Sequence, residues 1–125
     1  MKTILIVDDE AYFSKSIEEA LDPKKFTVIN AVNGEEGLKV LEKSPLPDAV
    51  LLDINMPVMN GLEFLKKLNE KKGPPSKVPI IITSNVSTRE TIGEGVALGV
   101  RGYIIKSNET PRTIAETIES LFTQS

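Results

Sequence analysis

Short apolar runs alternate with amphipathic stretches along this chain, and two of those runs end in carboxylates. Thr3-Ile4-Leu5-Ile6-Val7 leads into Asp8 and Asp9, and Ala49-Val50-Leu51-Leu52 leads into Asp53. Runs this short, apolar and β-branched read as strands buried on both faces, the pattern of a parallel sheet. Strands are expected over 3–8, 26–31, 48–53, 78–83 and 101–105. Between them the apolar residues take up helical spacing. Phe13, Ile17, Ala20 and Leu21 share one helical face, as do Leu62, Leu65 and Leu68. Ile114, Ile118, Leu121 and Phe122 form the last such stripe. Five strands alternating with five helices imply an α/β fold, a parallel sheet with helices on both faces.

Local signals place several boundaries. Asn33 with Glu36 three residues on reads as an N-cap with a reciprocal acidic partner. Ser87 with Glu90, and Thr110-Pro111, mark two further helix starts. Lys71-Lys72-Gly73-Pro74-Pro75-Ser76-Lys77 reads as a surface loop. The fourth helix, about 87–98, is weak: it carries Gly93 and Gly95, and its apolar face is only Ile92, Val96 and Ala97. Such a helix is suited to shift or fray when a nearby site changes.

Composition narrows the chemistry. The 125 residues fit one domain, 1–125. With no Cys and no His, disulfides, thiolate or imidazole metal sites and Ser-His nucleophiles are excluded. The chain is not its own phosphohistidine donor. A net charge of −3 argues against direct nucleic-acid binding. No stretch approaches the ~20 apolar residues of a membrane span, so no membrane partner is expected and a cytoplasmic location is the default.

The strand ends carry the chemistry. In an open α/β sheet, ligands bind beyond the carboxyl ends of the strands, where strand order reverses. Asp8, Asp9 and Asp53 gathered there would repel one another, and a divalent cation relieves that repulsion. Asp9 could equally cap the first helix. An aspartate can accept a phosphoryl group as an acyl phosphate. That transfer needs a metal, a fixed cation and a hydroxyl donor. Thr83 ends the fourth strand and Lys106 the fifth, which supplies the last two.

At these residues the chain resembles the receiver domains of bacterial two-component response regulators, in particular the chemotaxis type. The resemblance runs from about Lys2 to Phe122. It rests on the acidic pair after strand one, Asp53-Ile54-Asn55-Met56-Pro57-Val58-Met59-Asn60-Gly61 after strand three, Thr83 after strand four, and Lys106 after Gly102-Tyr103-Ile104-Ile105. It implies a doubly wound, flavodoxin-like (βα)5 fold with strand order 2-1-3-4-5. Asp53 matches the phosphoacceptor. Asp8, Asp9, Asp53 and the Asn55 carbonyl match the Mg2+ (or Mn2+) site, with Asp9 the direct ligand of the acidic pair. Thr83, Ser84 and Lys106 match the phosphate-binding groups. Thr83 and Tyr103 match the switch pair, and Asn55 and Asn85 stand where the acyl-phosphate lifetime is tuned.

The resemblance further implies a sensor histidine kinase or phosphotransfer protein as donor. Downstream it implies a protein target or an output domain outside these residues, and a phosphorylation-dependent homodimer through the α4-β5-α5 surface is compatible with it. The chain would be a phosphoacceptor switch rather than an enzyme. Ser107 departs from the proline that usually follows the lysine. A cis bond before Ser costs ~2.5–4 kcal/mol, so Lys106-Ser107 is expected to be trans, with a locally altered loop.

Three other classes compete. A receiver-like domain that binds proteins without phosphorylation is the first. An aspartyl phosphohydrolase is the second, but it needs a second Asp two residues on, where Asn55 stands. A flavin or dinucleotide binder is the third, but no G-x-G-x-x-G follows strand one, and Asp8-Asp9-Glu10 would repel a pyrophosphate.

Overall fold

A computed structural model describes the chain except residues 44, 55, 57, 58, 72, 86–88, 124 and 125; of 89–92 it describes the backbone only. Five parallel strands form one sheet: β1 (Lys2–Val7), β2 (Phe26–Ala31), β3 (Ala49–Asp53), β4 (Ile80–Ser84) and β5 (Gly102–Ile105). Their order is β2-β1-β3-β4-β5, the flavodoxin-like arrangement expected. The chain leaves β1 toward one edge and returns as β3 on its other side. The crevice between the ends of β1 and β3 is therefore the place where strand order reverses.

Side chains alternate across the sheet and build two cores. Leu5, Val7, Val50, Leu52, Ile80 and Ile82 face α2 (Gly34–Leu41) and α3 (Gly61–Glu70), which contribute Leu38, Leu41, Phe64, Leu65 and Leu68. Ile4, Ile6, Ala49, Leu51, Ile81 and Ile104 face α1 (Ala11–Ala20) and α5 (Pro111–Thr123), with Ile17, Ile114, Ala115 and Ile118. Both sides are covered, so β1 and β3 are apolar at consecutive positions rather than alternating. Each fully buried Leu or Ile contributes roughly 1.5–3 kcal/mol. In α3 the buried face is Phe64, Leu65 and Leu68, and Leu62 is only partly buried.

The helix starts follow from their caps. The Asn33 side chain accepts from the Glu36 N–H at 2.9 Å, as expected. Glu36, however, reaches the Val32 N–H at 3.2 Å rather than that of the cap residue. The reciprocal pair sits instead at α3, where Asn60 accepts from Glu63 N–H at 2.9 Å and Glu63 from Asn60 N–H at 3.3 Å. Pro111 opens α5, and Thr110 Oγ1 accepts from Thr113 N–H at 3.2 Å. Residue Glu10, not Asp9, occupies the N-cap of α1. The Ser87 start lies outside the described residues.

Two expectations are corrected. β4 begins at Ile80 rather than 78, because Pro79 has no N–H for a ladder and Pro74–Lys77 form a 3-10 turn that ends at Val78. The described part of 71–77 lies at the surface between α3 and β4, as expected, with this turn inside it. The fourth helix, α4 (Arg89–Ala97), does not bury Val96, which is 64% exposed. Gly95 faces the sheet, where a Cβ would lie 2.9 Å from Ile82 Cδ1, and Leu98 packs beside it. The glycine costs helix stability but admits close packing. The Ile92 side chain lies outside the described residues. No described helix is long and apolar enough to cross a membrane.

Candidate functional site

The parallel register brings four strand ends to one edge. Asp53 is the last residue of β3 and pairs in register with Thr83, and Ser84 pairs with Ile105. Asp8 follows the end of β1, its N–H donating to the Ala31 carbonyl at 3.0 Å. Lys106 follows the end of β5. Asp8, Asp53, Thr83 and Ser84 are all buried, an unusual set of polar groups for a core of this composition.

Lys106 ties the strand ends together. Its Nζ lies 2.8 Å from Asp8 Oδ2, 2.9 Å from Glu10 Oε1 and 3.6 Å from Asp53 Oδ2, and its side chain is 7% exposed. The same ammonium sits over the Phe13 ring, 4.3 Å from its centroid. Asp8 Oδ1 meanwhile accepts from the Glu10 N–H at 2.8 Å. Burial strips water from Lys106 and favours its neutral form. The hydrogen bonds to Asp8 and Glu10, and the charges of Asp8 and Asp53, outweigh this and hold its pKa above the usual lysine value. Burial also pushes the Asp8 carboxyl up, against the pull of Lys106 and the Glu10 N–H.

Three carboxylates therefore face one ammonium. One oxygen each from Asp8, Glu10 and Asp53 lie within 4.8 Å of one another. An all-oxygen cluster with excess negative charge suits a hard divalent cation. Of the expected acids Asp8 and Asp53 are gathered, whereas Asp9 is exposed and stands outside this group, and Glu10 joins it through Lys106. The reason is the start of α1. With Glu10 at the N-cap, Asp9 turns outward and Glu10 lies over the strand ends. Glu10 was missed as a site residue by sequence reasoning; an acid just before the first helical stripe was the one signal that could have found it.

Thr83 Oγ1 is buried with no hydrogen-bond partner among the described residues. A buried hydroxyl left unpaired costs roughly 1–3 kcal/mol, so one kept at a strand end beside Asp53 is ready for an acceptor. Tyr103 pairs in register with Ile82 and is half-buried against the core on the α2–α3 side. Asn85 is exposed and lines a groove with Glu10, Phe13, Lys106 and Ser107. After Lys106 the chain makes a 3-10 turn, Lys106–Asn108, in place of a rigid proline loop. Asn55 lies outside the described residues. A role for Gly61 is visible only here: a Cβ would lie 2.7 Å from the Asp53 carbonyl oxygen.

Residues 4–119 match the family model of the response regulator receiver domain. The nitrate/nitrite response regulator protein NarL of Escherichia coli K12 is 36% identical over 109 residues, 86% of this chain and 49% of that protein. The transcriptional regulatory protein YdfI of Bacillus subtilis is 30% identical over 122 residues, 96% of this chain and 54% of that protein. The chain thus spans about half the length of these curated relatives. The chemotaxis protein CheY4 of Vibrio cholerae has a similar structure, with TM-score 0.85, 29% identity, and coverage of 98% of this chain and 99% of that one. The phosphorylated cyanobacterial phytochrome response regulator RcpA is similar at TM-score 0.86 and 26% identity, covering 99% and 96%. The chain belongs to the receiver domain family of two-component response regulators.

Proposed function

We propose that this chain is a phosphorylation switch in which Asp53 accepts a phosphoryl group from a histidine kinase or phosphotransfer protein. A donor phosphoimidazole would lose its N–P bond, the electron pair returning to the ring nitrogen, as an Asp53 carboxylate oxygen forms the new O–P bond. One observation carries the reading: Asp53 is buried at a strand end, with an ammonium 3.6 Å away and two further carboxylates beside it. That is a charge arrangement for phosphoryl transfer rather than for packing.

Asp8, Asp53 and the Asn55 carbonyl would hold Mg2+ or Mn2+, and Asp9, exposed here, would have to turn inward to join them. The bound ion would supply charge neutralisation for the incoming phosphoryl oxygens. Lys106 then pairs with a phosphoryl oxygen, and the unpartnered Thr83 hydroxyl donates to another. Ser84, small and buried, leaves room. Movement of Thr83 frees space for Tyr103 to turn inward. The surface of α4, β5 and α5 then shifts population. Support for that surface comes from α4, where Gly93 and Gly95 lower helix stability and Val96 is exposed. Asn55 and Asn85, at the sequence positions the resemblance assigns to this role, would tune the lifetime of the acyl phosphate. The protein would act in the cytoplasm as one domain, 1–125, through a protein target or an attached output domain, or as a phosphorylation-dependent homodimer.

The test is incubation with Mg2+ and acetyl phosphate, followed by intact mass, beside Asp53→Asn. One added phosphoryl group on the wild type and none on the variant is expected. No addition to a folded wild type would refute the switch and favour a phosphorylation-independent interaction domain.

A further inference from the structure

We propose that Glu10 and Phe13 are positioning residues for Lys106: they keep its ammonium beside Asp53 when a divalent cation takes up the Asp8 and Asp53 oxygens. The inference rests on the phosphoryl-switch reading. It begins from how weakly the backbone holds Lys106. The turn Lys106–Asn108 is closed by a long hydrogen bond, Glu109 N–H to the Lys106 carbonyl at 3.4 Å, and Ser107 is exposed. A lysine on such a turn has a flexible four-carbon stem and no fixed direction of its own. Direction comes from the far end, where the ammonium meets Asp8, Glu10, Asp53 and the Phe13 ring.

Those partners are not equivalent. Asp8 and Asp53 would be claimed by the cation, whose two charges would also repel the ammonium. Glu10 offers an oxygen within 4.8 Å of theirs, but it and Phe13 can stay with the ammonium, for different reasons. Phe13 carries no charge and, half-buried, packs against the core on the α1–α5 side. The Glu10 side chain is 54% exposed, so its carboxylate can swing with the ammonium without entering the buried centre. The two stand three residues apart across the first turn of α1, on the same face of the helix. They form a cradle with a carboxylate on one side and a ring face on the other. It holds the lysine between its resting contact with Asp8 and its working contact with a phosphoryl oxygen.

A plain electrostatic role for Glu10 makes the opposite forecast. A half-exposed carboxylate near the site would repel a dianionic donor, and its removal would speed phosphorylation. The cradle forecasts slower transfer. Glu10→Gln keeps the shape and loses the charge, Glu10→Asp keeps the charge, and Phe13→Leu removes the ring.

The experiment records the Lys106 ε-methylene signals by NMR with and without MgCl2, and the rate of acetyl phosphate labelling by intact mass. In the wild type the ε-methylene is expected to be shifted by the Phe13 ring current and to stay shifted in Mg2+. In Glu10→Gln it should move to free-lysine values on adding Mg2+, and labelling should slow about fivefold, the worth of one half-exposed ion pair. Glu10→Asp should recover most of the rate, and Phe13→Leu should slow labelling with Mg2+ affinity unchanged. Labelling of Glu10→Gln as fast as wild type or faster, or Lys106 signals identical to wild type in Mg2+, overturns the proposal. A wild type that takes no phosphoryl group would sink the switch reading alone, and the Mg2+ response of the Lys106 signals would still decide this one.

Discussion

Replacing Gly61 by Ala should damage both stability and phosphorylation, although the change adds a single methyl group. Gly61 opens α3, and its N–H donates to the Ile54 carbonyl at 2.9 Å. A Cβ there would lie 2.7 Å from the Asp53 carbonyl oxygen and 2.8 Å from Ile54 Cα. Both are backbone atoms, so no rotamer change relieves the contact. Ordinary van der Waals contact starts at 3.4 Å, so the helix start and the Asp53 backbone must part by about 0.6–0.7 Å. Overpacking of this kind costs about 1–3 kcal/mol. At the usual unfolding entropy per residue, a chain of this length loses about 4–11 °C of Tm. The displaced residue carries the acceptor, and a shift approaching 1 Å at a reacting group costs up to ~10²-fold, so labelling by acetyl phosphate should fall about tenfold. Gly93→Ala is the counterpart. No described atom lies within 4 Å of its Cβ position, so the helix propensity of Ala should raise stability by about 0.8–1 kcal/mol. Thermal melts and labelling rates of the two variants settle the matter. A Gly61→Ala protein with wild-type Tm and wild-type labelling would refute the claim that α3 is pressed against the acceptor backbone.

Further outcomes follow from the same site. Thr83→Val removes an unpaired buried hydroxyl while keeping its shape, so it should stabilise the unphosphorylated protein by about 1 kcal/mol. It should also abolish the phosphorylation-dependent NMR shifts in β5; a destabilised variant would show that the hydroxyl has a partner after all. The folded Asp8 pKa stands above its ordinary value of 3.8, so protonation of Asp8 favours the fold. That contribution is complete below 3.8 and is lost as the pH rises through the raised value. Metal-free Asp8→Asn should therefore match wild type in acid and gain on it toward neutral pH in urea titrations. The raised Lys106 pKa works on the other side: its contribution is complete below 10.5 and fades only as the pH passes the folded value. Mg2+ at about ten times its Kd should stabilise the wild type by roughly 1.4 kcal/mol, and much less in Asp8→Asn by thermal shift. The Lys106-Ser107 bond should be trans, shown by a strong sequential Hα–HN contact in NMR.

The two-sided core and the edge at which function sits were legible because they rest on periodicity and on position along the chain, whereas the strand order came only with the resemblance to receiver domains. Ile4 to Val7 and Val50 to Leu52 can only be buried on both faces, and such strands must be parallel and covered by helices. Their ends therefore meet, bringing Asp8, Asp53, Thr83 and Lys106 together. What the sequence could not carry was the direction of side chains around a turn. Asp9 and Glu10 are both acids at the same chain position to within one residue, and their fates parted where α1 begins. One residue of helix register turned Asp9 to water and laid Glu10 against Lys106. Val96 likewise read as a core residue of α4, but a close approach of the helix at Gly95 sends it outward. Gly61 stood in the sequence only as the last residue of the motif after strand three, and the packed backbone beneath it shows why no Cβ fits. Pattern along the chain determined which residues are buried and which strand ends converge, because burial is an average over many contacts. Which carboxylate meets the lysine was left to the tertiary structure, because that depends on ångström distances between groups that no local rule connects.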